Sequence, residues 1–322
     1  MADADNPLIS LVIPCYNEAE VMAVLRREIT AIAQQLAKEY RFEFVFVDDG
    51  SRDNTWELIE EFARDDARVK AIALSRNFGH QIALTCGYDE SEGDAVISMD
   101  ADLQDPPGVI VELIRAWEKG ADIVYAVRKK RTGEGSFKLL SARVFYRLFS
   151  LLSKSSAPEN AGDFRLMNRK SVTALQQLRE RHRYIRGMVG WLGYKTATVN
   201  YHRQSRAAGK TKYPLRKMIA FAADSIVSFS FSPLRLAYFM AFLGLIPVAG
   251  FLVYTLVQYL FFDATFVRGW TSMLLIISIF GFFNLISVGI IGEYVGRIYD
   301  ESKNRPLYFI RDIIPKGTKS AR

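Results

Sequence analysis

Two long uncharged runs near the C-terminus restrict the folds open to this chain. Leu236 to Phe262 contains no charged residue over 27 positions, and Gly269 to Gly292 contains none over 24. A helix needs about 20 apolar residues to cross the hydrocarbon core of a bilayer. Buried helices of water-soluble proteins rarely stay free of charge for so long. The sequence therefore predicts a hairpin of two membrane-spanning helices within residues 234–298, with spans over about 236–262 and 269–294.

The charges that flank the hairpin predict its orientation. Only six residues, 263–268, join the two runs, so both outer ends of the hairpin lie on one side of the membrane. Residues 179–217 contain eleven Lys or Arg and one acidic residue, and residues 297–322 contain seven basic and three acidic residues. An excess of Lys and Arg marks the cytoplasmic side. We therefore expect a multi-pass protein of the inner (plasma) membrane with both termini cytoplasmic, ending in a basic tail over 299–322.

Two further stretches carry apolar residues at helical spacing beside a polar side. Residues 214–233 are predicted to form an amphipathic juxtamembrane helix that lies along the membrane surface. Residues 136–153 have a similar pattern, for which a helix facing a protein core is an equal alternative. Basic residues near both stretches predict contact with an anionic lipid bilayer.

The N-terminal part of the chain alternates between strand-like and helical patterns. Strands are predicted at 9–14, 42–47, 69–74, 95–99 and 123–126, and helices at 18–40, 55–64, 80–90 and 107–120. Such alternation predicts an α/β fold with a mostly parallel sheet and helices on both faces. In open sheets of this kind, ligands bind at the carboxyl ends of the strands.

Polar turns follow the first four predicted strands. Asp100 and Asp102 come directly after the fourth strand, and the other turns are 14–18, 48–51 and 75–79. Two carboxylates at a strand end can hold a hard divalent cation that takes its other ligands from substrate phosphates. Asp also favours turns and helix caps, so the pair alone is weak. Four polar turns at one edge of a sheet favour a site for a diphosphate-bearing ligand.

Several other classes of site lack their sequence signature. The chain has no G-x-G-x-x-G motif, no Walker loop and no nucleic-acid-binding motif. Its three His and two Cys are not clustered, which argues against zinc and leaves Mg²⁺ or Mn²⁺ as the expected metal. The two cysteines predict no disulfide framework and fit a reducing compartment. No cleavable signal peptide is expected from the acidic, polar residues 1–7.

A set of motifs distributed over the chain resembles the inverting glycosyltransferases of family two, in the branch that acts on polyprenyl phosphates. Its pieces are Val12-Ile13-Pro14-x-Tyr16-Asn17-Glu18, Val47-Asp48-Asp49-Gly50-Ser51, Asp100-Ala101-Asp102-Leu103-Gln104-Asp105, Gly162-Asp163-Phe164-Arg165-Leu166-Met167, Arg206-x-x-Gly209-x-Thr211-Lys212-Tyr213 and Gly292-Glu293-Tyr294-x-Gly296-Arg297. The combination is similar first to bactoprenol glucosyltransferases and more distantly to dolichyl-phosphate mannose synthases.

The resemblance implies a cytoplasmic GT-A, Rossmann-like domain over residues 1–213 and a role for each motif. The implied nucleotide-sugar residues are Pro14, Tyr16, Glu18, Asp48 and Asp49, with Arg206 and Lys212 as phosphate clamps. The implied metal ligands are Asp100, Asp102 and Gln104 for Mg²⁺ or Mn²⁺. The implied catalytic residues are Asp100, Asp102, Arg128, Asp163 and Arg165. The resemblance places Arg128 near the sugar or the acceptor phosphate, and Asp163 and Arg165 facing the transferring sugar. Asp163 is either a base for a residual proton or an orienting group.

The implied partners are a UDP-sugar donor, a polyprenyl phosphate acceptor such as undecaprenyl phosphate, and the bilayer, with no nucleic acid. UDP-glucose is the expected donor, and GDP-mannose or an amino-sugar nucleotide is the alternative. Surface helices and a hairpin also predict a homo-oligomer, for which a tetramer is one form. A processive polysaccharide synthase would carry a Gln-x-x-Arg-Trp motif, which is absent. A scaffold with a degenerate transferase domain would be expected to lack the Asp100 and Asp102 pair.

Overall fold

The computed structural model describes residues 6–129, 158, 161–202, 232–261 and 269–317. The chain divides into two compact units. One unit combines Met1–Ser150 and Lys154–Pro214 with Pro306–Arg322, and the other consists mainly of Leu215–Arg305. The chain therefore leaves the first unit and returns to it.

An eight-stranded mixed sheet forms the centre of the first unit. Its strands are β1 (Leu8–Cys15), β2 (Arg41–Asp48), β3 (Val69–Leu74), β4 (Ala95–Ser98), β5 (Ile123–Arg128), β6 (Ala161–Asn168), β7 (Thr196–Tyr201) and β8 (Ile310–Ile314). The spatial order is β7-β5-β6-β4-β1-β2-β3-β8. The pairs β1–β2, β1–β4, β2–β3 and β5–β7 are parallel, whereas β6 runs antiparallel to β4 and β5, and β8 runs antiparallel to β3.

Helices cover the central parallel strands, and their apolar side chains supply the core. The helices of this unit are α1 (Ala19–Gln35), α2 (Thr55–Asp65), α3 (His80–Asp89), α4 (Val109–Glu118), α5 (Arg169–Gln177) and α6 (Ile185–Trp191). On α1, Leu25 and Ile29 lie on a buried face one turn apart. Strands β1 and β2 are buried on both faces, which is why their sequences read as nearly continuous apolar runs.

All five predicted strands are confirmed, with ends that differ by at most two residues. The first helix is shorter than predicted. It ends at Gln35 rather than at residue 40. The backbone N–H of Ala37 donates to the carbonyl of Gln34, three residues back, at 3.3 Å, so the chain turns here instead of continuing the helical pattern. Strands β6, β7 and β8 were not predicted. The antiparallel strands β6 and β8 make the sheet more mixed than the mostly parallel arrangement expected.

The segment 299–322, predicted as a basic tail, contains a strand that the sequence analysis did not predict. Ile310–Ile314 forms strand β8, which pairs with β3. The backbone N–H of Ser75 donates to the carbonyl of Phe309 at 2.9 Å, and that of Gly317 donates to Ala67 at 2.8 Å. The basic residues of this segment obscured the short β-branched run that pairs with the sheet.

The second unit contains two long helices, α7 (Ser232–Phe261) and α8 (Trp270–Ser302). They contact each other where Gly244 approaches the ring of Phe283. In the part of the chain that the structure describes, one segment, Ile276–Ser302, is long and apolar enough to cross a membrane, and Phe242–Gln258 is a shorter apolar helix. The predicted helix at 136–153 lies outside the described residues, as does that at 214–233 except for its last two residues, which begin α7.

Candidate active site

The carboxyl ends of β1, β2 and β4 lie side by side, because these strands are parallel neighbours. Strand β6 meets this edge from the opposite direction. Ser98, the last residue of β4, pairs with Arg165 of β6. Asp163, two residues before Arg165, therefore lies just beyond the end of β4, where Asp100 also lies. Side chains two residues apart in a strand share a face, so Asp163 and Arg165 lie on the same side of the sheet.

A network of polar contacts joins the loops that follow β1, β2 and β3. The carboxylate of Asp49 accepts hydrogen bonds from the backbone N–H groups of Phe78 at 2.7 Å and Gly79 at 2.9 Å. Gly50 has a φ of +70°, and a Cβ there would lie 2.7 Å from the backbone of Arg76. Only glycine allows this conformation and this approach together. Asp49 thus holds the loop after β3 in place rather than pointing freely toward a ligand.

The residues expected to bind the nucleoside lie in and next to this network. Pro14 and Asp48 are buried near the ends of β1 and β2, and Tyr16 and Glu18 are half-buried in the loop after β1. The backbone N–H of Ser51 donates to both carboxylate oxygens of Asp48 at 3.3 Å. Burial is the main cause that raises the pKa of Asp48 above its ordinary value. A carboxylate in such surroundings is suited to accept an N–H from a bound base.

Asp100 is crowded by other carboxylates. Burial is the largest cause that raises the pKa of its carboxyl; the charge of His80 lowers it, and those of Asp163, Asp105 and Asp102 raise it further. A cation at this position would relieve the repulsion. No group of three or more His, Cys, Asp or Glu side chains arranged to hold a metal is found in the described ranges. Two carboxylates fit a magnesium-type ion that also binds substrate phosphates and water.

The three residues expected to hold the metal have different surroundings. Asp100 and Asp102 are half-buried, whereas Gln104 is buried. The backbone N–H of Gln104 donates to the carboxylate of Asp102 at 3.1 Å, which fixes the turn after β4. The two carboxylates fit the expected ion, and the amide oxygen of Gln104 is the least accessible of the three groups.

Arg128 forms a buried cluster with two residues that the sequence analysis did not assign to the site. Its Nη2 lies 3.2 Å from the carboxylate of Asp105, and its Nε donates to the hydroxyl of Tyr201 at 2.9 Å. Tyr201 also donates to Asp105 at 2.5 Å. Gly162 makes room for this arrangement, because a Cβ there would lie 2.9 Å from Nη2 of Arg128. The pairing of β5 with β6 thus brings Arg128 next to Gly162, the residue before Asp163.

Asp163 is surrounded by donors. Nη2 of Arg165 lies 2.7 Å from Oδ1, and Arg186 of α6 forms a bidentate pair, with Nε 3.1 Å from Oδ1 and Nη2 3.0 Å from Oδ2. His80 at 3.3 Å and the amide of Gln81 at 3.4 Å also approach Oδ2. Burial opposes its ionisation, but the charge of Arg186, the hydrogen bond from His80 and the charge of Arg165 hold the pKa of Asp163 well below its ordinary value.

His80 lies between the two groups of carboxylates. Its Nε2 is 3.3 Å from Asp163 and 3.6 Å from Asp100. Burial alone would lower its pKa, but the hydrogen bond to Asp163 and the charges of Asp100 and Asp163 raise the pKa to about 9. In these surroundings His80 carries a positive charge at neutral pH.

Arg165, which was expected to face the sugar, has its side chain in the protein interior. Its side chain is 0% exposed, and its Nη2 donates to the carbonyl of Gly162 and to Asp163. Nε and Nη1 of Arg165 are buried and have no hydrogen-bond partner among the described residues. Arg165 therefore supports Asp163 from the protein interior and is a positioning residue.

The sequence analysis missed several residues of this site, and two residues that it predicted lie outside the described part of the chain. His80, Gln81, Arg186 and Tyr201 were not singled out from the sequence. His80 could have been found, since it follows the polar turn 75–79 at the same edge of the sheet. No local motif marked Arg186, because it lies in the basic stretch 179–217, which was interpreted through membrane orientation and contact with lipid. Arg206 and Lys212 lie outside the described residues.

Comparison with known proteins defines the class. Residues 10–175 match the family described as Glycosyl transferase family 2. The chain belongs to this family, and its α/β sheet is the GT-A, Rossmann-like fold that the sequence motifs implied.

Individual relatives match almost the whole chain. An uncharacterized glycosyltransferase of Bacillus subtilis (strain 168) is 45% identical over 94% of this chain and 93% of its own length. The bactoprenol glucosyl transferase of Shigella phage SfV is 41% identical over 94% of this chain and 98% of its own. Among solved structures, a glucosyl-3-phosphoglycerate synthase of Mycobacterium tuberculosis aligns over 69% of this chain and 77% of that one, with 18% identity and a TM-score of 0.49.

Proposed function

We propose that this protein is a membrane-bound, metal-dependent inverting glycosyltransferase that moves a hexose from a nucleoside diphosphate to the phosphate of a polyprenyl phosphate. The observation that carries the proposal is the meeting of Asp100 and Asp163 at one edge of the sheet, with Arg186 and His80 beside them. The similarity to bactoprenol glucosyl transferases over nearly the whole of both chains supports the acceptor class. UDP-glucose as donor and undecaprenyl phosphate as acceptor follow from the same similarity.

The donor would bind along the ends of β1, β2 and β4. Asp48, with Tyr16 and Glu18 beside it, would contact the nucleoside, and Asp49 would keep the neighbouring loop in place. Asp100 and Asp102 would hold Mg²⁺ or Mn²⁺, with Gln104 next to them. When bound, such an ion neutralises the charge that builds up on the departing diphosphate. Arg206 and Lys212 are proposed to add positive charge at the same phosphates.

Catalysis would depend on positioning and electrostatics more than on proton removal. A phosphate monoester has a second pKa of about 6, so the acceptor is largely ionised at neutral pH. The carboxylate oxygens of Asp163 already accept from Arg165, Arg186, His80 and Gln81, and a carboxylate has about four lone-pair sites. We therefore assign Asp163 an orienting role. Alignment of donor and acceptor on opposite faces of the sugar carbon supplies much of the rate.

The return of the chain to the first unit supports the proposed membrane hairpin. Strand β8 belongs to the same sheet as β1–β7, and the long helices lie between them in sequence. Any crossing by this region must therefore occur an even number of times. The eight residues 262–269 between the two helices reach at most about 29 Å, less than the length of either helix at about 1.5 Å per residue. The two helices that contact at Gly244 and Phe283 would therefore be antiparallel.

The proposed location follows from this hairpin. The sheet, the N-terminus and the C-terminal strand would all lie on the cytoplasmic side of the inner membrane, where nucleotide sugars are available. Cys15 and Cys86 are both buried free thiols, which fits that side. Self-association, for example as a tetramer, remains part of the proposal.

Thermal unfolding with candidate donors tests the donor class. A ligand that binds only the folded state raises Tm. We expect UDP-glucose with Mn²⁺ to raise the Tm of the purified protein more than UDP-glucose with EDTA does. A larger rise in Tm with GDP-mannose than with UDP-glucose would instead favour a mannosyltransferase. No rise with any nucleotide sugar would contradict the proposal.

A further inference from the structure

Arg186 differs from the other cations around Asp163 in its exposure. The side chain of Arg165 is 0% exposed, whereas that of Arg186 is 35% exposed. Arg186 uses Nε and Nη2 for the bidentate pair with Asp163, and its Nη1 makes no hydrogen bond within the described part of the chain. One edge of the guanidinium is therefore fixed by Asp163, and the remaining donors are directed away from that carboxylate.

The charge around Arg186 is suited to an anion. Two guanidinium groups, Arg165 and Arg186, contact the single carboxylate of Asp163. Burial disfavours the charged guanidinium, but the charge and hydrogen bonds of Asp163 raise the pKa of Arg186 above its ordinary value, so it remains charged. The groups around Asp163 therefore carry a net positive charge, and this charge reaches the surface at the partly exposed side chain of Arg186. On the far side of His80, Asp100 marks the proposed place of the metal and the donor diphosphate.

The geometry points to Arg186 as the residue that binds the phosphate monoester of the acceptor, with Asp163 as the group that holds Arg186 in the required orientation. This inference rests on the proposed function. An arginine already fixed along one edge loses little conformational freedom when its other edge binds a ligand. Phosphate oxygens match the spacing of guanidinium donors. Asp163 is then a positioning residue that acts through Arg186.

The same arrangement separates the two anionic substrates. The donor diphosphate would be neutralised by the metal at Asp100 and Asp102, and the acceptor phosphate by Arg186. Because α6 lies outside the 10–175 segment that matches the family, the sequence motifs of that segment do not include this residue. His80 lies between the two positions, 3.6 Å from Asp100 and 3.3 Å from Asp163.

The test compares Arg186→Gln and Arg186→Lys with the wild type in steady-state kinetics with polyprenyl phosphate and a nucleotide sugar. We expect Arg186→Gln to raise the acceptor KM about 10- to 100-fold, since a charge-assisted hydrogen bond is lost, with the donor KM changed by less than about twofold. Arg186→Lys should recover part of the loss, because lysine binds phosphate as a point charge. Arg179→Gln is the matched control, since Arg179 is exposed and pairs with Asp89.

Three outcomes would overturn the inference: an unchanged acceptor KM, a rise in the donor KM alone, or a fall in kcat and Tm with both KM values unchanged. The last would show that Arg186 only supports Asp163. A separate measurement of binding, first with farnesyl phosphate and then with inorganic phosphate, tests the role of Arg186 without requiring sugar transfer. It therefore distinguishes failure of the proposed reaction from failure of the proposed phosphate site. Suppose that the wild type transfers sugar from no nucleotide sugar but binds farnesyl phosphate, and that Arg186→Gln loses this binding. Arg186 would then still be the phosphate-binding residue, and only the proposed transfer reaction would be contradicted. Equal binding by wild type and variant, or none by either, would contradict the site.

Discussion

Asp102 and Asp105 lie three positions apart in the loop after β4 and have different surroundings. Asp102 is half-buried next to the proposed metal position, whereas Asp105 is 1% exposed and bonded to Arg128 and Tyr201. Substitution at these two positions should therefore separate an effect on turnover from an effect on folding.

Asp102→Asn should reduce turnover by about 100-fold or more, because a metal ligand supplies several kcal/mol of transition-state stabilisation. Its Tm should change little, since a half-exposed carboxylate contributes little to folding. Asp105→Asn should instead lower the free energy of unfolding by about 2 kcal/mol or more, because it removes the buried negative charge that pairs with Arg128. Turnover and thermal unfolding of both variants check this. Wild-type turnover in Asp102→Asn would contradict the metal assignment.

At this scale, the residues that the sequence predicted are those in local motifs. Asp100 was found because it directly follows an apolar strand, and Asp163 because it lies in a motif that resembles the family. The partners of Asp163 could not be found in this way. His80 and Arg186 reach it from α3 and α6, over separations of 83 and 23 residues, through contacts that exist only once the sheet has formed. Arg165 was identified from its motif, but its burial was not predicted, because a charged residue is ordinarily expected to be exposed to solvent.

Among the elements, β8 is held to the sheet by a buried carboxylate as well as by its ladder. The carboxylate of Glu43, 1% exposed, accepts from Lys316 at 2.9 Å, from the backbone N–H of Glu92 at 2.6 Å and from Ser10. Lys316 also contacts the carboxylate of Glu92. This cluster lies at the amino ends of β1 and β2, opposite the candidate active site.

The cluster predicts a dependence of stability on pH. Burial opposes ionisation of Glu43, but its hydrogen bonds lower its pKa below the ordinary 4.5. Its contribution is therefore present above about pH 4.5 and is lost as the pH falls through the lower folded value. Burial likewise opposes the charge of Lys316, but Glu92 and Glu43 raise its pKa above 10.5. Its contribution is present below that value and is lost as the pH rises through the folded pKa.

Lys316→Met should lower the free energy of unfolding by about 1 kcal/mol at pH 7, a value that allows for the partial exposure of the lysine. The difference from the wild type should shrink as the pH is lowered below 4. Unfolding by urea at several pH values measures this, with the exposed Lys119→Met as control. A difference that stays constant from pH 7 to pH 3 would contradict the assignment.

The elements show where sequence patterns succeed. Strands β1 to β5 were predicted because apolar runs alternate with helical periodicity, which is the signature of consecutive parallel strands. Strand β6 was missed because it buries Asp163 and Arg165 and so lacks an apolar pattern. Strand β8 was missed because its pairing with β3 joins residues more than two hundred positions apart, and only the basic composition of its segment was visible.

For the whole molecule, the returning strand makes the proposed topology testable. Ala264 lies between the two long helices in sequence, and Glu301 lies near the end of α8. In a hairpin with cytoplasmic ends, these positions face opposite sides of the membrane. The native cysteines Cys15 and Cys86 are buried, so they should give little background labelling.

In intact cells, a membrane-impermeant maleimide should label Ala264→Cys and should label Glu301→Cys only after permeabilisation. Gel-shift or mass analysis of the labelled protein gives the measurement. Equal labelling of the two variants from outside would show that the region does not cross the membrane as a hairpin.

Transfer of sugar to lipid is the measurement that tests the proposed function most directly. Purified protein is incubated with radiolabelled UDP-glucose, undecaprenyl phosphate and Mn²⁺, and label is counted in the organic phase, with EDTA and Asp102→Asn as controls. We predict label in the organic phase that requires the acceptor and disappears in both controls. Label that persists in EDTA, or none with UDP-glucose, GDP-mannose or an amino-sugar nucleotide, would contradict the proposed reaction.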